Sequence, residues 1–220
     1  MKNFRTEGII IKRRNFNEAD RILTVMTRDY GKLQIKAVGV RKITSRRAAH
    51  VELLNHTILH LYKGNTFSLL TEAKMIDDFS AVKSNFEKVG LAYHFCELVD
   101  GLCPDNQENS RVYSLLHKTL SLLAGQKEFA PTKHISSDID DYTIGTFGLG
   151  ESRFAVSDAP ISRNEKSQND ILQNFEVSLL SELGYWDQND RFQRQFNTHT
   201  MIEDILERKL KSRSIFAKLQ

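Results

Sequence analysis

Residues Asp20 to Ala37, DRILTVMTRDYGKLQIKA, decide the fold of this chain. Apolar and β-branched residues alternate with polar ones on both sides of the turn sequence Asp29-Tyr30-Gly31-Lys32. Glycine favours such a turn because it adopts positive φ at little cost. The pattern predicts a β-hairpin. The two faces of its first strand are Ile22, Thr24 and Met26 on one side and Leu23, Val25 and Thr27 on the other.

Further strand patterns lie on both sides of this hairpin. One precedes it, from Thr6 to Phe16, and two follow it, at 57–63 and 67–75, separated by the turn Gly64-Asn65. Five strands without a long helix need a way to hide the edges of their sheet. A five-stranded Greek-key barrel of the OB type hides them, and we predict this fold for residues 1–80.

Beyond residue 80, apolar residues recur at the spacing of helices. We predict helices at about 86–103, 109–124, 169–183 and 198–210, the first of them after a capping box, Ser84-x-x-Glu87. Its apolar face is predicted to contain Phe86, Val89, Ala92, Tyr93, Cys96, Val99 and Cys103. The fold class is therefore β followed by α in two domains, with a helical domain at 81–220 that includes an irregular or hairpin insert at about 126–168.

The two parts of the chain differ in charge. Up to Ser80 there are fifteen Lys and Arg against eight Asp and Glu, whereas beyond it there are sixteen against twenty. Cations concentrated on a small module are typical of proteins that bind nucleic acid, because they neutralise phosphates and release counterions. A solvated basic surface without a ligand is the alternative reading.

The barrel face and its loops supply the candidate nucleic-acid contacts. The predicted DNA-binding residues are Lys12, Arg13, Arg14, Arg21, Lys36, Arg41, Arg46 and Arg47. Phe16, Tyr30 and Tyr62 are candidate stacking surfaces for unpaired bases, with core packing as the alternative for each ring. The stretch 41–47 is predicted to be an exposed loop or a short helix. This interpretation requires the cations to face outward together, without neutralisation by carboxylates.

The sequence indicates no catalytic residues, metal site or cofactor. Gly145 to Ser152 has the glycine spacing of a phosphate-binding loop, but Glu151 stands where that loop needs a cation. Cys96 and Cys103 are seven residues apart and are predicted to be core thiols; a metal site joining them to His94 and His117 is a weaker reading. No apolar run reaches the ~18 residues of a membrane span. We expect a cytoplasmic, non-enzymatic protein.

Several stretches resemble the bacterial recombination mediator family RecO. They are Thr6 to Arg14, Asn17 to Thr24, Tyr30 to Lys32 and Ala37 to Arg41 near the start, and Leu180 to Tyr185 and Lys209 to Phe216 near the end. The resemblance implies an OB domain followed by a helical domain. Many members also have a four-cysteine zinc module after the Leu-Gly-Tyr element. Here Trp186 to Arg191 contains no cysteine, so we expect the zinc module to be absent.

The resemblance also implies a function and partners. Members bind single- and double-stranded DNA, anneal complementary strands, and help to load the RecA recombinase onto DNA coated by single-stranded DNA-binding protein. The implied partners are DNA, RecR and single-stranded DNA-binding protein, whose acidic tail docks on the helical domain, and the implied location is the nucleoid.

Two other functions remain open from the residues. One is a protein-docking adaptor that pairs an acidic peptide with cations of the last helix and tail. The candidate residues are Arg208, Lys209, Lys211 and Arg213. The other is an OB-fold RNA-binding factor, which would prefer ribose because the 2′-hydroxyl distinguishes RNA from DNA.

Overall fold

A computed structural model of the chain describes residues 3–64, 66–126, 163–186 and 197–212, without the side chains of 163–167. The strands are β1 Asn3–Phe16, β2 Asp20–Thr27, β3 Gly31–Ala37, β4 His56–Tyr62 and β5 Ser68–Asp77, with a 3₁₀ helix at Ala49–Val51 between β3 and β4. The helices are α1 Ser80–Lys83, α2 Phe86–Leu102, α3 Ser110–Ala124, α4 Arg163–Glu182 and α5 Thr198–Leu206.

The five strands form a closed barrel in the order β1-β2-β3-β5-β4. All neighbours are antiparallel except β3 and β5, which are parallel. The predicted OB fold, followed by helices, is confirmed. The hairpin of β2 and β3 is also confirmed, and Gly31 has the positive φ (+66°) that the turn sequence indicates.

Both faces of β2 are buried, which strand alternation alone did not predict. Leu23 and Val25 contribute to the core inside the barrel, whereas Met26 points outward and packs in the core that the helices form. On β1, Ile10 likewise faces inward and Ile9 outward, and the register with β2 shifts between Ile10 and Lys12. Such a bulge bends the strand and redirects the side chains that follow it.

The seam between β3 and β5 contains only two paired positions, Ile35 with Ser68 and Lys36 with Leu69. Two other contacts close it. At one end, residues 103–108, which we call the crossing segment, lie along β3, and the Asn106 amide donates to the Lys32 carbonyl at 2.8 Å. At the other end, the Arg47 guanidinium donates to the Leu70 carbonyl at 2.7 Å and to the Val38 carbonyl at 2.8 Å.

The start of α2 differs from the prediction. The cap is Asn85, whose side chain accepts from the Lys88 amide at 3.1 Å, rather than Ser84. The predicted apolar face is wrong at Phe86 and Tyr93, which are 70% and 39% exposed. The buried face is shifted because it must contact the barrel and α3, and also α4 through Phe95 and Phe175. It comprises Leu91, Ala92, Phe95, Cys96, Leu98, Val99 and Leu102.

The later helices agree with the prediction in position but not in every boundary. The second predicted helix is confirmed as α3, with Asn109 and Gly125 as its caps. α4 begins at Arg163, inside the predicted insert, and α5 ends at Leu206 because Glu207 adopts a positive φ of 52°. The rest of the insert, including the 145–152 glycine pattern, lies outside the described residues. Across the described residues, no helix is long and apolar enough to span a bilayer.

A buried polar network joins the helices. His94 on α2 is hydrogen-bonded through Nε2 to Glu176 on α4 at 3.1 Å and through Nδ1 to the Ser212 hydroxyl at 2.7 Å. The Thr198 hydroxyl donates to the second Glu176 oxygen at 2.5 Å. All four side chains are buried. Their hydrogen bonds within the protein replace those that they would make with water in the unfolded chain.

Candidate nucleic-acid interface

Four of the eight predicted cations lie within 4 Å of carboxylates. Lys12 pairs with Asp100 of α2 at 2.6 Å, and Lys36 pairs with Asp20 at 3.4 Å. Arg13 and Arg21 both pair with Glu52, Arg21 at 2.8 Å. Since a carboxylate already neutralises these groups, they attract phosphate less than an unpaired cation does.

Arg13 and Arg21 act within the barrel wall. They belong to the same sheet face as Leu23, which points into the barrel, and Glu52 follows the 3₁₀ helix that covers this end. The Arg21 side chain is largely buried, and burial, followed by repulsion from Arg13 and Arg41, lowers the pKa of its guanidinium. This geometry favours closure of the barrel over contact with a ligand.

Lys12 lies on the outer face of the barrel, where acidic groups of the α2 end and the crossing segment cover part of the sheet. Lys32 donates to the Asp100 carbonyl at 2.5 Å and pairs with Asp105 at 3.1 Å. Gln34 donates to Asp105 at 3.0 Å. In OB folds this sheet face is a common surface for oligonucleotides. Here the carboxylates of Asp100 and Asp105 lie over the half of this sheet face that is nearest the helices.

Arg47 also has a structural role, because its guanidinium makes hydrogen bonds within the barrel. Its guanidinium joins the chain beyond β3 to β5 through two carbonyl oxygens, as described above for the barrel seam. The sequence predicted Arg47 as a DNA contact and gave no sign of these hydrogen bonds to carbonyl oxygens. Substituting Arg47 would therefore alter the barrel as well as the surface.

The open half of the sheet face continues into the loop at 38–48. In the register of β1, β2 and β3, Arg14 lies opposite Ile22, and Ile22 opposite Lys36, so Arg14 and Lys36 share one outer face. Arg41 of the loop donates to the Asn17 carbonyl at 3.3 Å, which holds the loop against the β1–β2 turn. We call this surface the basic rim: it comprises Arg14, Phe16, Lys36, Arg41, Lys42 and Arg46.

Several cations of the basic rim have no carboxylate within salt-bridge distance among the described residues, namely Arg14, Arg41, Lys42 and Arg46. All four are exposed. Lys42 was not among the predicted contacts, although it lies in the same sequence cluster. The Lys36 ammonium lies 5.0 Å from the centre of the Phe16 ring. The pKa of Asp20 lies below its usual value chiefly because its carboxylate accepts from the Gly39 amide; burial opposes this effect, and Lys36 and Lys42 lower the pKa further.

The three candidate stacking rings do not lie together. Phe16 belongs to the basic rim, at the end of β1. Tyr30 and Tyr62 are about half exposed and lie near the opposite end of that strand, where Tyr30 packs edge-on against Phe4 with centroids 4.7 Å apart. Only Phe16 is therefore positioned to act with the basic rim.

The candidate partner-binding cations lie beyond α5 rather than on a helix. Arg208, Lys209 and Lys211 are exposed, and Arg213 lies outside the described residues. The segment packs on α2 through buried Leu210, and the Glu97 carboxylate accepts from the amides of Lys211 and Ser212 at 2.9 Å each. Burial raises the pKa of Glu97, but these two bonds, the Ser212 hydroxyl and the charge of Arg208 together outweigh it, so the net pKa is lowered.

The described residues do not support the metal site that would join the two cysteines to His94 and His117. His94 belongs to the network with Glu176, whereas His117 packs against His56 with ring centroids 4.7 Å apart. The described positions contain no group of His, Cys, Asp and Glu that could hold a metal ion. Cys96 and Cys103 are buried thiols, as predicted, and burial raises the pKa of Cys96 to about 12.

Two sequence profiles of one family match the chain. The domain described as "Recombination protein O N terminal" matches residues 1–79, and "Recombination protein O C terminal" matches residues 83–134. Together they cover more than half of the sequence. The chain belongs to the RecO family. The basic rim thus lies on the N-terminal domain of a RecO protein.

Curated relatives carry the same family name. "DNA repair protein RecO" of Roseiflexus sp. (strain RS-1) is 41% identical over 120 residues, which are 54% of this chain and 42% of the relative. The proteins of the same name from Symbiobacterium thermophilum and Desulforudis audaxviator are 33% and 32% identical over 122 and 139 residues, covering 56% and 63% of this chain and 48% and 56% of those relatives. The chain spans about half the length of the curated relatives it matches.

Proposed function

We propose that this RecO-family chain is a non-catalytic DNA-binding protein of recombinational repair that acts at the nucleoid. In this proposal it anneals single strands and helps to load the recombinase onto DNA coated by single-stranded DNA-binding protein. One observation supports it most: the basic rim on the outer face of the barrel and its loop carries four exposed cations outside salt-bridge distance of any described carboxylate. The names of the curated relatives agree with it.

Annealing requires no bond making, so the absence of a catalytic arrangement in the sequence is consistent with it. Two complementary strands repel each other through their phosphates, and a cationic surface screens this repulsion and raises their local concentration. Such contacts do not select sequence, because phosphates are the same at every position. The same surface would bind single- and double-stranded DNA.

The test is charge reversal of the basic rim. Arg14, Arg41 and Arg46 are replaced by Glu together, and Arg47 is left in place because it closes the barrel. We expect affinity for a labelled single strand to fall at least tenfold, and the slope of log affinity against log salt to decrease by about 2 to 3, since each lost phosphate contact removes about one unit.

A matched control carries the same change of net charge elsewhere. Lys63, Lys88 and Arg111 lie on other surfaces, and their replacement by Glu should lower affinity much less. An equal loss in both variants would show that binding follows net charge only, and no loss in the rim variant would reject the site. An RNA strand of the same sequence, measured in parallel, tests the RNA-binding alternative.

A second candidate function, protein docking, is favoured by the chain after α5. Glu97 fixes the backbone of this segment, so that Arg208, Lys209 and Lys211 are presented from a held position. We propose that it contacts acidic peptides, including the tail of single-stranded DNA-binding protein, and that RecR is a further partner of the chain. Replacing Arg208 and Lys209 by Glu should weaken binding of an acidic peptide and leave oligonucleotide binding unchanged. The opposite result would assign these cations to DNA.

A further inference from the structure

The loop at 38–48 exposes one large apolar side chain completely. Ile43 has 105% of its reference accessibility, whereas the other exposed large apolar residues among those described range from 36% to 70%. A single exposed apolar residue is ordinary on a protein surface. Ile43 differs from such a residue in the way the loop holds it and in the charges around it.

The loop is fixed at both ends. Val40 is buried in the barrel core, and Arg47 is bonded to β5. Between them, the Lys42 amide donates to the Gly39 carbonyl at 3.2 Å, and the Ser45 amide donates to the Lys42 carbonyl at 2.9 Å. The second bond closes a turn over residues 42–45, with Ile43 and Thr44 at its apex.

A β-branched aliphatic residue at this apex is an unfavourable choice for the turn. Turns favour Gly, Pro, Asn, Asp and Ser, each of which suits the backbone locally. Burial does not compensate, because Ile43 is fully exposed. Local preferences are broken most often at functional positions, where a ligand supplies the missing contact.

The surroundings of Ile43 indicate the chemistry of that ligand. Arg41 and Lys42 precede it and Arg46 follows it, all three exposed and without a described carboxylate in salt-bridge distance. An anionic ligand with apolar faces suits this arrangement. A lipid surface fits less well, because one aliphatic side chain buries too little apolar area to hold a protein on a membrane. A nucleic-acid strand offers phosphates for the cations and base faces for the side chain.

We propose that Ile43 inserts between two neighbouring bases of a bound DNA strand and opens that stacking step. Arg41, Lys42 and Arg46 hold the flanking phosphates. Aliphatic side chains are known to separate base steps in this way in other DNA-binding proteins. The inference rests on the proposed DNA-binding function and deepens it: a strand whose stacking is opened presents its bases for pairing, which favours annealing.

The test uses the full chain and a short single strand that carries 2-aminopurine at several positions, because this base becomes brighter when it is unstacked. At saturating protein, wild type should raise the fluorescence. Ile43→Ser should bind the strand within about threefold of wild type, since the cations remain, and should lose at least half of the fluorescence increase. Its melting temperature should be unchanged, because the side chain contacts nothing in the protein.

Val38→Ser is the matched control. Val38 is 48% exposed at the base of the same loop, and its substitution should keep the fluorescence increase. An equal signal in wild type and Ile43→Ser, or an equal loss in the control, would overturn the insertion. A wild-type chain that does not bind the strand at all would instead overturn the proposed function, so the two failures are distinguishable.

Discussion

Arg46 and Arg47 are neighbours of identical chemistry with different surroundings. Arg46 is exposed, and the described residues offer it neither a hydrogen bond nor an ion pair. Arg47 joins β5 to the chain just beyond β3 through carbonyl oxygens 23 and 9 residues away. Residue type and local sequence could predict that both are polar loop residues. They could not predict which one closes the barrel, because the carbonyl partners depend on how β3 and β5 approach each other.

At this scale we predict that Arg47→Ala destabilises the fold. The loss should be about 1 to 3 kcal/mol, since hydrogen bonds from a charged group contribute about this much. Arg46→Ala is the control and should stay within about 0.5 kcal/mol of wild type. Urea unfolding followed by circular dichroism measures both. Equal stability of the two variants would contradict a structural role for Arg47.

At the scale of elements, the strands were predictable because alternation is a local property of the sequence. The cap of α2 was less predictable from the sequence. Ser84 and Asn85 both suit a cap, and tertiary packing selected Asn85. The crossing segment was not predictable at all. It pairs with β3 across about 70 residues of sequence, and its irregular backbone has no periodic pattern to detect.

Gly31→Ala tests the contact between the crossing segment and β3. A Cβ at Gly31 would lie 1.7 Å from the Gln107 carbonyl oxygen, so the segment would have to move. Gly39 is a matched control, because it has the same φ of +66° but no atom closer than 3.8 Å to an added Cβ. Gly39→Ala should cost about 1 to 2 kcal/mol for backbone strain alone. Gly31→Ala should cost clearly more in urea unfolding, and equal losses would show that the crossing segment adds nothing.

At the scale of the whole molecule, the sequence separates a basic barrel from an acidic helical part, and this charge difference is the reason that the candidate site was predicted on the barrel. Half of the candidate cations nevertheless face carboxylates. Asp100, which pairs with Lys12, comes from the helical part. Pairing across the junction depends on how the outer face of β1 and β2 packs on α2 and α3. Composition does not contain that arrangement, so the sequence could not separate the four paired cations from Arg14, Arg41 and Arg46, which have no carboxylate within salt-bridge distance among the described residues.

The same junction predicts a pH dependence. His56 of β4 is hydrogen-bonded through Nε2 to the Tyr113 hydroxyl of α3 at 2.9 Å, and its ring packs against His117. Burial, followed by repulsion from His117, lowers the pKa of His56 to about 4, with Asp77 acting weakly in the opposite direction. Glu7 Oε2 lies 4.0 Å from the same nitrogen. The folded state therefore keeps His56 neutral.

His56 takes up its proton near pH 6.5 in the unfolded chain but only near pH 4 in the folded chain. The free energy of unfolding is therefore unaffected by this residue above about pH 6.5 and decreases as the pH falls towards 4. The loss from His56 is about 3 kcal/mol at most. His56→Gln, which can still bond Tyr113 but does not titrate, should show a flatter decline of unfolding free energy over this range. Carboxylates titrate in both proteins, so the difference between the two curves is the measurement. Curves that fall in parallel would mean that His56 takes up its proton equally in the folded and unfolded states, and the junction would then contribute no pH dependence through this residue.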